Sequence, residues 1–256
     1  MAQDEAGTSY ARSSQEKAKL KAVIFDLGNT LVKFTGDLNE TNFQGVKLIH
    51  RVISLDGIHI DFERLLKVWT KERVEGIIRA SATLKEVTAD QVFERVMQLL
   101  GIPELNSHTK KRAVDAFFTP EIEKYTLDPH ARGILEFLKE KNLKIGLISN
   151  TTCHRFVERL LKKFDLTPYF DVIMSSAGEG IRKPDPEIFR RALERLKTDP
   201  QETLMVGDLA EHDVKGAKLA GLKAVLLNHG QTGSVTPDYT IEKLKDLERI
   251  ILKEIS

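Results

Sequence analysis

This chain has one cysteine, Cys153, which excludes an intramolecular disulfide and fits a reducing compartment. It also lacks net charge: 39 lysines and arginines face 38 aspartates and glutamates, leaving +1. No basic excess points to nucleic acid or to an anionic membrane surface. No apolar run is long enough to cross a bilayer. Residues 1–19 are polar and have no apolar centre of the kind a signal peptide needs. A cytoplasmic protein with a loose tail over 1–19 is expected, either a monomer or a homodimer. What remains is ordinary for a globular chain: 30% charged and 41% apolar residues over 256 positions, enough for one large domain or a core with an insertion. No internal repeat or low-complexity segment is present.

Five short apolar runs have the pattern of buried parallel strands: Lys21–Asp26, Leu143–Ser149, Asp171–Ser175, Thr203–Asp208 and Lys223–Asn228. Helical patterns separate the last four. Phe156, Leu160, Leu161 and Phe164 form one apolar face, and Phe189, Ala192, Leu193 and Leu196 another. Asp185 can cap the second of these helices, with Pro186 in its first turn. Asp213–Ala220 predicts a third helix, stopped by Gly221. The stretch Ile241–Ile255 predicts an amphipathic one. Strands alternating with helices imply an α/β fold, a Rossmann-like doubly wound parallel sheet covered on both faces.

The first two strands are far apart in the chain. The segment between them has helical spacing at Phe62, Leu65, Leu66 and Trp69, and again at Phe93, Val96, Met97 and Leu100. Thr88 and Gln91 form a capping-box pattern that opens the second of these helices. The expected organisation is a core over 20–35 and 129–256 with an all-helical cap inserted over 36–128. Leaving the core beside the first strand end, such a cap is placed to act as a lid.

Polar residues end these strands on one edge of the sheet, where open α/β sheets bind ligands. Asp26 ends the first strand, Ser149 the second and Asp208 the fourth, with Asp213 soon after. Lys183 lies in the loop after the third. Together they suit phosphoryl transfer. Carboxylates can hold Mg²⁺, which prefers hard oxygen ligands. The Ser149 hydroxyl and backbone N–H groups near Asn150 and Thr151 can bind phosphate oxygens. Lys183 can stabilise both the phosphate and an attacking Asp26.

At this point the chain resembles the haloacid dehalogenase-like hydrolase superfamily, over Lys21–Thr35 and Asp128–Gly230. FDLGNTL is similar to its first motif, IGLISN to its second, RKPDPEIF to its third and VGDLAEHDVKGAKLAG to its fourth. The resemblance implies a phosphatase in which Asp26 attacks phosphorus and water then hydrolyses an aspartyl-phosphate. It also implies Mg²⁺ held by Asp26, the Gly28 carbonyl and Asp208, with Asp213 acting through water. The substrate implied is a small phosphorylated metabolite, bound by Ser149, Asn150 and Lys183. Specificity is expected to reside on the cap.

One departure stands out. The family's phosphatases usually carry a second aspartate where this chain has Gly28, to protonate the leaving oxygen and then activate water. Positioned acid–base groups contribute about 10²–10⁴-fold, so alkyl phosphates should suffer most and acyl or aryl phosphates least. Asp37, Glu40 or a cap residue could supply the proton instead. Glycine there also suits a tight turn with an unusual backbone.

Three alternatives remain on the sequence. A 2-haloacid dehalogenase would use Asp26 on carbon, but the paired acids Asp208 and Asp213 argue against it. A phosphonate-cleaving enzyme would need a cap lysine, with Lys33 and Lys47 the candidates by position. A weakly active phosphate-binding or regulatory protein would keep the site without fast turnover. His212 is expected to be an exposed loop histidine, Cys153 and His154 a helix start, and Trp69 a core residue of the cap.

Overall fold

The computed structural model describes residues 19–102, 105–228, 230 and 235–256. Apart from Lys19, the expected N-terminal tail lies outside them.

Six parallel strands make the main sheet: β1 (Ala22–Phe25), β4 (Lys144–Ser149), β5 (Val172–Ser175), β6 (Thr203–Gly207), β7 (Lys223–Leu227) and β8 (Tyr239–Ile241). Their order is β5-β4-β1-β6-β7-β8, which puts β1 in the interior between β4 and β6. Successive side chains point to opposite faces. Val23, Phe25, Ile145, Leu147, Leu204 and Val206 therefore join one apolar cluster, and Ala22, Ile24, Ile148, Met174, Met205 and Ala224 join the other. Burial on both faces explains why these strands are apolar runs and not alternating patterns.

A second, two-stranded sheet pairs β2 (Val32–Phe34) with β3 (Tyr125–Leu127) in antiparallel register, Phe34 opposite Tyr125. The segment 36–128 is thus not helical throughout. Three residues are too few to show a period-2 pattern, and the partner strand lies outside the segment. Between these strands run α1 (Leu38–Leu55), α2 (Phe62–Thr83), α3 (Ala89–Leu99), α4 (Ser107–Phe117) and α5 (Thr119–Glu123). Trp69 is fully buried among them, its ring centroid 4.7 Å from that of Phe117. The Thr88–Gln91 capping box forms as the sequence predicts, each side chain meeting the other's backbone N–H at 3.2 and 2.9 Å.

The remaining helices cover the main sheet: α6 (Ala131–Glu140), α7 (His154–Lys163), α8 (Ser176–Glu179), α9 (Pro186–Leu196), α10 (Lys215–Leu219) and α11 (Leu247–Ile255). Asp185 caps α9 by accepting from the Glu187 N–H at 2.9 Å. Two expectations are corrected. The helix expected from Asp213 opens instead as a wide π turn, Ala210–Val214, before α10. The helix expected from Ile241 starts only at Leu247, because Ile241 ends β8 and pairs with Leu227.

Helix α7 carries the inserted segment. Arg155 pairs with Asp115 at 2.5 Å and Asp90 at 3.1 Å. Lys163 Nζ donates to the carbonyls of Ile122 at 2.8 Å and Tyr125 at 2.9 Å. Among the described residues no helix is long and apolar enough to cross a membrane.

Candidate active site

Parallel neighbours end on the same side, so β1 and β6 deliver Asp26 and Asp208 to one edge. The π turn after β6 brings Asp213 back to them. One carboxylate oxygen from each of the three lies within 4.8 Å of the others. That return needs Gly207: a Cβ there would stand 2.3 Å from Asp213 Cγ, so a side chain at that position would push the carboxylate away.

Lys183 fills the centre. Its side chain is 2% exposed, and Nζ donates to Asp26 Oδ1 at 2.5 Å and to the Ile148 carbonyl at 2.8 Å. Asp213 Oδ1 is 2.6 Å from the same ammonium but accepts no well-directed hydrogen bond. Its other oxygen accepts from the Leu209 N–H at 3.0 Å.

Three buried carboxylates against one ammonium leave an excess of negative charge. Burial, with the charges of Asp213 and Asp208 behind it, pushes the Asp26 carboxyl up to about 7 although Lys183 opposes. Burial and Asp213 push Asp208 up to about 6, with Lys183 and a hydrogen bond from Asn29 opposing. Burial works against the Lys183 ammonium, but Asp213 and Asp26 outweigh it and hold its pKa above the usual lysine value. Two carboxyls driven toward neutrality, Asp26 and Asp208, with a third carboxylate oxygen within 4.8 Å, fit a small divalent cation that would offset their charge.

Ser149, Asn150 and Thr151, at the end of β4, have different surroundings. Ser149 ends β4 beside Asp26, buried at 7% exposure. The Asn150 side chain is committed to the lysine loop: Oδ1 accepts from the Lys183 N–H and Nδ2 donates to the Lys183 carbonyl, both at 2.9 Å. It orients Lys183. The Thr151 N–H, expected to be open to phosphate, donates instead to Ser176 Oγ at 2.9 Å. Gly28 needs no special backbone. The left-handed residue of its turn is Asn29, at φ 51°, and a Cβ at Gly28 would meet nothing within 4 Å.

A cavity of about 330 Å³ opens above these groups. Asp26, Gly28, Ser149, Asn150, Lys183, Asp208 and Asp213 all line it. Its opposite wall comes from the inserted segment, through Arg73, Ile77, Glu86, Phe118, Glu121 and Tyr125. None of the six carries a motif. Only the tertiary approach of the inserted segment, through α2, α5, β3 and the turns beside them, to the sheet edge reveals them. His212 also lines the cavity and is half-buried, not exposed as expected; burial lowers its ring pKa. Asp37 and Glu40 are elsewhere. Asp37 caps α1 through the Asn39 and Glu40 N–H groups, and Glu40 is exposed and bonded to Gln44. Lys33 and Lys47 are exposed and do not line the cavity. Cys153 is buried at the start of α7.

Comparison with known proteins gives the family of the chain. A family model described as haloacid dehalogenase-like hydrolase matches residues 20–221. The glyceraldehyde 3-phosphate phosphatase of Pyrococcus abyssi is 29% identical over 243 residues, covering 92% of this chain and 95% of the relative. The phosphoserine phosphatase of Thermus thermophilus is 30% identical over 192 residues, 73% of this chain and 74% of the relative. Among solved structures, a HAD phosphatase from Thermococcus onnurineus aligns with a TM-score of 0.60 at 26% identity, covering 93% of this chain and 100% of that one.

Proposed function

Because this chain belongs to the haloacid dehalogenase-like hydrolases, we propose that it is a Mg²⁺-dependent phosphatase of small phosphorylated metabolites, working through an aspartyl-phosphate on Asp26. The observation that carries this reading is the buried Lys183 ammonium set between Asp26 and Asp213, with Asp208 beside them. Names of relatives such as the glyceraldehyde 3-phosphate and phosphoserine phosphatases support the substrate class.

Asp26, the Gly28 carbonyl and Asp208 would hold the cation, and Asp213 would reach it through water. When bound, a divalent cation offsets the negative charge that the phosphate and the nucleophile bring together. The protein's own groups do the rest. Lys183 keeps an Asp26 oxygen aimed and its charge balanced, and Ser149 offers a hydroxyl to a phosphate oxygen. Asn150 holds the lysine loop in register.

A metal-free attack on carbon, as in a 2-haloacid dehalogenase, fits less well. With its pKa raised to about 7, roughly half of Asp26 would be protonated at neutral pH without a cation, and a carboxylic acid is a poor nucleophile. No lysine other than Lys183 lines the cavity among the described residues, which leaves an imine-forming phosphonate route without its amine.

The test is phosphate release from acetyl phosphate, an aryl phosphate and a panel of sugar phosphates, with Mg²⁺ and with chelator. Release from at least one substrate is expected to require the metal. No metal-dependent release from any of them would overturn the proposal in favour of a phosphate-binding role.

A further inference from the structure

The turn after β1 supplies no acid, because Gly28 has no side chain. Four ionisable groups outside the carboxylate cluster and its lysine deserve comparison as proton donors: Glu86, His212, Glu121 and Tyr125, all lining the cavity. Glu86 is engaged. Its Oε2 accepts from Ser176 Oγ at 2.5 Å, its Oε1 accepts from the Val87 N–H at 3.0 Å, and Arg182 stands 3.7 Å away. His212 belongs to the same turn as Asp213, on the carboxylate side. Glu121 and Tyr125 remain, on the wall contributed by the inserted segment.

We propose that Glu121, acting with the Tyr125 hydroxyl, is the proton donor and acceptor that Gly28 does not provide. The inference rests on the phosphatase reading above. Placement is its first support. Glu121 lies in α5 and Tyr125 opens β3, and the backbone on either side of Glu123 is fixed to the core by Lys163. The Tyr125 ring is packed between Phe34 and Phe156, with centroids at 5.3 and 5.7 Å. Its hydroxyl donates to Glu121 Oε1 across a long 3.5 Å, and the phenol is near enough to Asp26 to feel its charge.

Protonation state is the second support. Burial raises the Glu121 carboxyl above its ordinary value. The charged and polar groups facing it are Arg73 from α2 and Tyr125 from β3, and both pull the other way without cancelling the effect. A carboxyl whose pKa is raised stays protonated to a higher pH than an ordinary glutamate, as a proton donor requires. Burial and Glu121 raise the phenol, so Tyr125 passes a proton without ionising.

The cycle balances. As the Asp26 oxygen–phosphorus bond forms, the bond from phosphorus to the leaving oxygen breaks. That oxygen takes the Glu121 proton, directly or across Tyr125, leaving an alcohol and a Glu121 carboxylate. A water then attacks phosphorus and gives one proton to Glu121, freeing Asp26 and inorganic phosphate.

Glu121→Gln tests it. Turnover of a sugar phosphate should fall about 10²–10⁴-fold, the usual share of a positioned acid. In kcat/KM, which covers only the steps up to the aspartyl-phosphate, the loss on acetyl phosphate, whose leaving group needs little protonation, should be at least roughly tenfold smaller than the loss on the sugar phosphate. Acetyl phosphate turnover also reports that the variant has folded. Gly28→Asp added to Glu121→Gln should recover sugar-phosphate turnover, since a side chain there meets no neighbour within 4 Å. An equal loss in kcat/KM on both substrates, or no loss on either, overturns the assignment of Glu121. A parent protein that hydrolyses neither substrate overturns the phosphatase reading itself.

Discussion

Asp26→Asn is expected to lose phosphate release while melting at a higher temperature than the parent in metal-free buffer at pH 8. Removing a covalent nucleophile typically costs on the order of 10⁴–10⁶-fold in turnover. The stability gain follows from the carboxyl's raised pKa. Folded, it titrates near 7, against an ordinary value of 3.8, so the folded state holds a proton that the unfolded chain has released. Asp26 therefore contributes most to stability below about pH 4, and that contribution is lost as pH rises through 7. Asparagine carries no charge to bury, and its advantage should grow as pH rises from about 4 to about 7, hold above 7 and close in acid. At this chain length, about 1 kcal/mol corresponds to a shift of roughly 2–4 °C in Tm. Mg²⁺ should stabilise the parent more than the variant, because an amide is a poorer ligand than a carboxylate. Paired melting curves at pH 5 and pH 8, with and without Mg²⁺, check this. A variant no more stable than the parent at pH 8 without metal would show that Asp26 is not held under strain by its neighbours.

Lys183→Met should have the largest effect on stability. It removes the single cation from among Asp26, Asp208 and Asp213 and leaves three buried carboxylates facing one another. Breaking a buried ion pair from one side costs about 3–5 kcal/mol, which at roughly 2–4 °C per kcal/mol predicts a drop of roughly 6–20 °C in Tm. The drop should be largest at pH 8. It should shrink as pH falls toward the parent's Asp26 and Asp208 values of about 7 and 6, which Lys183 itself holds down, because carboxyls that protonate no longer need the cation. Phosphate release should fall at least about 10²–10³-fold, as when a donor aimed at developing charge is removed. Methionine retains most of the side chain's volume, so a lost cavity filling would not explain the result. Melting within about 2 °C of the parent at pH 8, well short of the cost of an unpaired buried charge, would mean that Lys183 is not the counter-charge of the cluster.

Much of this site was legible in the chain because its parts are local. Asp26, Ser149 and Asp208 each follow an apolar run, and parallel strands must end on the same side. Asp213 lies one turn after Asp208, so the carboxylate cluster could be assembled from sequence spacing and the rule for strand ends. The capping box at Thr88 and the Asp185 cap were equally readable, since each contact spans only two or three residues. Short elements paired across the chain were not. β3 and β8 have three residues each and take their identity from partners elsewhere.

The roles of individual groups depended on the fold still more. Whether Asn150 faces a phosphate or the Lys183 backbone, and whether the Thr151 N–H stays open, depends on where the start of α8 and the loop before α9 come to rest. The distant α5 places Glu121 over Asp26's cavity, and no pattern around it announces a function. The one-dimensional chain was enough to establish an α/β core and three polar strand ends, and it places a glycine two residues after Asp26. Only packing in three dimensions decided which side chains close the cavity and which carboxyls are driven toward neutrality, because burial and long-range charge arise between residues that have no fixed distance along the chain.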